Sequence, residues 1–87
     1  MELQNIFQEA VNGSRLLTKK PTNENLLQLY SLYKQSTEGD NENTPPSNPF
    51  DVVAKVKHKA WGSQKGKSKE IAMQEYIDLV EKLKSGN

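Results

Sequence analysis

The sequence contains no cysteine, which removes disulfide bonds and thiolate metal sites from consideration. It has a single histidine, His58, set between Lys57 and Lys59. No Ser/His/Asp arrangement or metal-ligand spacing can be read around it. Long apolar runs are missing too. Nothing approaches the roughly 20 residues of a membrane span, and the opening "MELQNIFQEA" lacks the basic and apolar regions of a secretory leader. There is no GxxxxGK[ST] phosphate loop: Gly62, Gly66 and Ser68 around Lys65 and Lys67 share only its composition. An excess of one charge is absent as well, since the formal net charge is +1. With 87 residues, 33% hydrophobic and 26% charged, the chain reads as one globular domain over residues 1–87, near the size where a single core gives modest stability.

What is present is helical periodicity. Leu3, Ile6, Phe7, Ala10 and Val11 recur at i, i+3, i+4, i+7 and i+8, the stripe of an amphipathic helix, with Asn12-Gly13 as its expected stop. Thr22 after Pro21 predicts the N-cap of a second helix. That helix carries Leu26, Leu29, Tyr30 and Tyr33 on one face, is widened by Leu27 and Leu32, and ends near Gly39. The stretch "GDNENTPPSNP" holds three prolines and no apolar residue, so it reads as a long loop. Asn48-Pro49-Phe50-Asp51 then predicts a helix start, with Asn48 as N-cap and Pro49 at the first helical position. The third helix has Phe50, Val53, Val56, Ala60 and Trp61 as apolar points and stops near Gly62. Ser68 is expected to cap a fourth helix with Met73, Tyr76, Ile77, Val80 and Leu83 on its stripe, followed by a fraying "KSGN" tail. Strand signals and internal repeats are lacking, and the expectation is an all-α four-helix bundle.

Polar groups interrupt these apolar faces. Tyr30, Tyr33 and Lys34 stand at i, i+3 and i+4 within "LYSLYKQSTEGD", Lys57 falls on the third stripe, and Tyr76 on the fourth. Singly, each has a structural explanation, because lysines snorkel at the edge of a core and tyrosines bury a ring with a wet hydroxyl. Together they offer ammonium and phenol donors to a phosphate and rings on which a purine can stack. That combination points to a phosphorylated, aromatic and partly apolar ligand. Glu38, Asp40 and Glu42 crowd the start of the long loop and read as a solvated charge run.

A different reading starts from Lys55, Lys57, Lys59, Lys65, Lys67 and Lys69, with no acid between Asp51 and Glu70. A row of this kind could track phosphates and would make the basic third helix part of a protein-interaction or nucleic-acid-binding module. The near-neutral chain, its single arginine and the lack of a recognised binding motif disfavour that alternative.

"LYSLYKQSTEGD" resembles the signature Tyr-x-x-Tyr-Lys-Gln-[Ala/Ser]-Thr-x-Gly-Asp of the acyl-CoA-binding protein family. "AWGSQKGKSKEIAMQEYIDLVEKL" resembles its Ala-Trp-x-x-x-Lys-Gly-x-Ser-x-Glu-x-Ala-Met-x-x-Tyr-Ile stretch, and "LTKKPTNENLLQLY" its approach to the second helix. The resemblance implies an up-down-down-up four-helix bundle without enzymatic activity, catalytic residues, metal or cofactor. It also implies a cytoplasmic monomer that binds one long-chain fatty acyl-CoA, with no nucleic-acid partner and no stable membrane insertion. Carried over by position, Tyr30, Tyr33, Lys34, Lys57 and Tyr76 would surround the adenine and the ribose 3′-phosphate. Arg15 stands where the family commonly has a lysine, and Leu27 and Val56 are candidates for the acyl groove. His58 occupies a family tryptophan position, "Ala54-Lys55-Val56-Lys57" replaces a smaller-residue run, and the proline-bearing loop is one residue longer.

Overall fold

The computed structural model describes residues 2–85 and contains four α-helices in the expected order: α1 (Glu2–Ser14), α2 (Asn23–Glu38), α3 (Val52–Gly62) and α4 (Lys69–Lys84). No strand occurs among the described residues. Thr22 caps α2 by accepting from the amide of Asn25 at 3.1 Å, and Ser68 caps α4 by accepting from the amide of Ile71 at 3.1 Å. Gly39 ends α2 with φ 83°, a left-handed conformation that glycine adopts without steric penalty.

Two boundaries differ from expectation. Gly13 does not stop α1, which runs to Ser14, whose hydroxyl donates back to the Val11 carbonyl at 2.7 Å. The chain then turns at once, which sets Arg15 immediately beyond the helix end. At α3, Asp51 rather than Asn48 is the N-cap, accepting from the amide of Ala54 at 3.0 Å. Asn48 instead accepts from the amide of Phe50 at 2.9 Å, closing a local turn of the kind asparagine favours. Pro49 and Phe50 therefore lie outside the helix. Of the tail expected to fray, Lys84 closes α4, while Gly86 and Asn87 lie outside the described residues.

The core is built by Phe7, Ala10 and Val11 of α1, Leu29 and Leu32 of α2, and Ala72, Met73, Tyr76, Ile77 and Val80 of α4. Helix α4 packs against both α1 and α2, whereas α3 packs against α2. Cross-helix pairs fix the directions. Tyr30 faces Lys57 and Lys34 faces Trp61, so α2 and α3 run parallel. Gln35 near the end of α2 bonds Lys67 just before α4, so those two are antiparallel. Phe7 meets Tyr76, and Gly13 lies beside Lys84, so α1 follows the direction of α4. The result is an up-down-down-up bundle.

Because α3 has one helical neighbour, most of its apolar stripe stays out of the core. Trp61 is buried, but Val53 and Val56 are exposed and Phe50, expected on the same stripe, is 90% exposed. The face of α2 is also rotated from expectation. Leu29 and Leu32 are buried, while Leu26 and Tyr33 remain 40% and 41% exposed. Those two displaced faces, α2's Leu26–Tyr30–Tyr33 and α3's valines, look out on the same side of the molecule.

Candidate functional site

A buried polar network first fixes the end of α2. The amide of Gln35, fully buried, donates to Asp40 Oδ1 and to the Lys67 carbonyl, each at 2.8 Å. The amide N–H of Gly66 donates to the same Asp40 oxygen at 2.9 Å. Those bonds hold the Asp40 carboxyl below its ordinary value, with the Gly66 N–H the larger cause and Gln35 the next. Trp61 Nε1 donates to the Gly39 carbonyl at 2.8 Å, and Gln64 Nε2 donates to Ser31 Oγ at 3.1 Å. Asp40, though exposed, is thus a structural acceptor as well as a member of the loop's charge run. Apart from the Gln35–Asp40 bond, five residues apart, nothing in residue spacing signals this network, since its other partners lie 22 to 33 positions apart.

The loop after Asp40 is tied to α3 through His58. Asn41 Nδ2 donates to the His58 carbonyl at 3.1 Å, and His58 Nε2 lies 3.0 Å from the Asn43 carbonyl. His58 therefore serves as a loop fastening.

On the frame so fixed, three adjoining clefts run around the exposed side of α2. The first, about 370 Å³, is lined by Ser14 and Arg15 at the end of α1, by Leu26, Tyr30 and Tyr33 of α2, and by Tyr76 of α4. The second, about 510 Å³, lies between α2 and α3 and is lined by Leu26, Leu27, Tyr30, Val52, Val53, Val56 and Lys57. The third, about 420 Å³, continues past Leu27 and Val56 to Ser31 and Lys59. Leu26 and Tyr30 border the first two clefts, and Leu27 and Val56 the last two. An aromatic and basic depression therefore borders an apolar trough across Leu26 and Tyr30.

Each expected site residue has a definite place in this arc. The Lys57 ammonium lies 5.2 Å from the Tyr30 ring centroid, within cation–π range. Tyr33 stacks on Phe7 with centroids 6.1 Å apart. Tyr76 is buried, packs edge-on against Phe7 at 5.2 Å, and donates its hydroxyl to Ser14 Oγ at 3.2 Å. Arg15, Tyr30, Tyr33 and Tyr76 meet in the first cleft, Lys57 joins at the second, and Leu27 and Val56 line the trough. Lys34 behaves differently: it lines none of the three clefts. Its ammonium is bonded to Glu38 and lies 4.8 Å over the Trp61 ring. The hydrogen bond to Glu38 is the main reason its pKa is raised above the usual lysine value. Sequence reasoning missed Ser14 and Leu26 as lining residues; the spacing of Leu26 four positions before Tyr30 was the available signal.

The six lysines of the basic run serve several surfaces. Lys57 faces Tyr30, Lys59 lines the third cleft, and Lys67 bonds Gln64 and Glu75. Among the described residues no group of His, Cys, Asp or Glu is placed to hold a metal ion, and no helix is long and apolar enough to cross a membrane.

Residues 4–80 match the model of a family described as Acyl CoA binding protein. An acyl-CoA-binding protein homolog of Drosophila melanogaster is 47% identical over 77 residues, covering 88% of each chain. The crystal structure of Oryza sativa Acyl-CoA-Binding Protein 2 superposes with a TM-score of 0.87 at 40% identity, covering 93% of this chain and 89% of that one. The human Enoyl-CoA delta isomerase 2 is 45% identical over 80 residues, but these are 92% of this chain and only 20% of that protein. The match to the isomerase is therefore confined to one fifth of its length.

Proposed function

The chain belongs to the acyl-CoA-binding protein family, whose ligand is acyl-CoA and which is a family of binding proteins and not of enzymes, and from that premise we propose that it carries long-chain fatty acyl-CoA esters. In this reading residues 1–87 form one binding domain that takes one ligand per chain, acts as a cytoplasmic monomer, and keeps a pool of acyl-CoA away from membranes. It needs no cofactor and no nucleic-acid partner.

One observation carries the reading: the aromatic, basic cleft and the apolar trough share Leu26 and Tyr30, so an elongated ligand can occupy both. The ends of acyl-CoA differ in the same way. Tyr30 and Tyr33 offer ring faces to an adenine, and the Tyr76 hydroxyl, held by Ser14, points toward the same cleft. Arg15 lines that cleft and Lys57 the one beside it, and with Lys34, four residues on from Tyr30 along α2, they are the cations suited to phosphate. Leu27, Val52, Val53 and Val56 form a lining on which methylenes lose water. Phosphate contacts orient the ligand, and chain burial contributes roughly 0.8 kcal/mol per fully buried methylene, offset by ordering costs.

Mass spectrometry of the protein purified under native conditions tests the reading. Co-purifying acyl-CoA is the expected result. Failure to bind added palmitoyl-CoA in calorimetry would overturn it.

A further inference from the structure

We infer that Glu38 is an internal rival for the ammonium of Lys34, and that its carboxylate limits how tightly the site holds a phosphate. The inference rests on the acyl-CoA reading above and adds the residue that tunes it. Glu38 accepts a hydrogen bond from Lys34 Nζ and forms an ion pair with it, four residues on along α2. Lys34 is the member of the expected cation set that lines none of the three clefts, and it is this contact that draws it toward the end of the helix.

Helix stability does not account for an acid at that position. Glu38 is the last residue of α2, where the helix presents the negative end of its dipole and a carboxylate is disfavoured. Lysine before glutamate at i, i+4 is also the weaker order for such a pair. Nor is Glu38 free to drift. Gly39 follows it with φ 83°, its N–H bonded to the Gln35 carbonyl at 3.2 Å and its own carbonyl bonded to Trp61 at 2.8 Å. The backbone beside Glu38 is therefore held from two sides, and its half-exposed side chain reaches Lys34 from there.

The physical consequence is competition. A phosphate recruiting Lys34 must displace the carboxylate or sit beside it, and both alternatives weaken binding through a lost ion pair or like-charge repulsion. When the phosphate leaves, Glu38 refills the vacated donors. A carrier that must hand over its ligand gains a faster release from this arrangement.

Calorimetry with palmitoyl-CoA and palmitoyl-dephospho-CoA on the wild type, E38Q, K34A and K34A/E38Q tests it. E38Q is expected to bind palmitoyl-CoA about two- to fivefold more tightly, the scale of a half-exposed ion pair, and the gain should vanish in the K34A background. A gain confined to palmitoyl-CoA assigns Lys34 to the 3′-phosphate, and an equal gain with both ligands assigns it to the diphosphate. Unchanged or weaker binding by E38Q overturns the inference, as does an equal gain in the K34A background, which would mark a diffuse charge effect. Wild-type protein that binds neither ligand overturns the acyl-CoA reading and this inference with it, a result distinct from binding without the gain.

Discussion

The indole N–H of Trp61 donates to the carbonyl of Gly39 at 2.8 Å, joining the last turn of α3 to the left-handed cap of α2. Trp61 is 4% exposed, although the rest of its helix is mostly solvent-facing. Burial of the ring and satisfaction of the carbonyl both depend on this contact, which joins Lys57 over Tyr30 and the His58 bonds in holding α3 to the rest of the bundle.

Trp61→Ala is therefore expected to lower stability by about 3–5 kcal/mol, the usual cost of truncating a buried tryptophan. Trp61→Phe retains most of the ring burial but leaves the Gly39 carbonyl unbonded, and should cost about 1–3 kcal/mol. Denaturant unfolding measures both. A Trp61→Ala protein with unchanged unfolding and lost ligand binding would overturn the structural assignment.

Lys57 lies over Tyr30 at the junction of two clefts. Lys57→Ala should weaken binding of palmitoyl-CoA by ~1.5–3 kcal/mol, the range for a charge-assisted hydrogen bond, with little change in melting temperature. Against palmitoyl-dephospho-CoA the loss should be much smaller. Equal losses with the two ligands would make Lys57 a general electrostatic attractor.

Leu27 and Val56 line two clefts each. Affinity should therefore climb with acyl length, and free CoA should bind weakly, since the gain scales with buried methylenes. Val56→Asp should flatten that dependence while sparing the binding of CoA itself. A chain series in calorimetry provides the check, and equal affinity for CoA and its palmitoyl ester would remove the apolar trough from the account.

Asp40 connects protonation to stability. Its pKa is lowered from the model-peptide value of 3.8, first by the Gly66 N–H and then by Gln35. A depressed carboxylate stabilises the fold fully above its unfolded value, and the contribution is lost as pH falls through the folded one. The wild type should thus melt higher than Asp40→Ala at neutral pH, and the difference should shrink below about pH 4. A difference that persists unchanged under acid would show that the carboxylate's charge is irrelevant to its role.

The sequence by itself determined the four helices, the Thr22, Ser68 and Gly39 signals, and the stripe of α4. Those features are local: a hydroxyl reaching an amide three residues on, a residue tolerant of positive φ, side chains recurring with the helix period. Tyr30, Tyr33, Lys34, Lys57 and Tyr76 could be singled out for the same reason, because polar groups on an apolar stripe are visible without coordinates.

Only the tertiary structure decided which apolar faces are core and which are groove. Periodicity marks Val53 and Val56 as it marks Met73 and Val80, but burial depends on how many helices pack around an element, and α3 has one where α4 has two. The same holds for the start of α3, where Asn48 and Asp51 are both competent caps and the turn closed by Asn48 left the helix to Asp51. Gln35 meeting Lys67, and Tyr76 meeting Ser14, are long-range bonds that no local pattern encodes. Lys34 pairs with Glu38 on its own helix, but its place over the Trp61 ring exists only because α3 packs on α2.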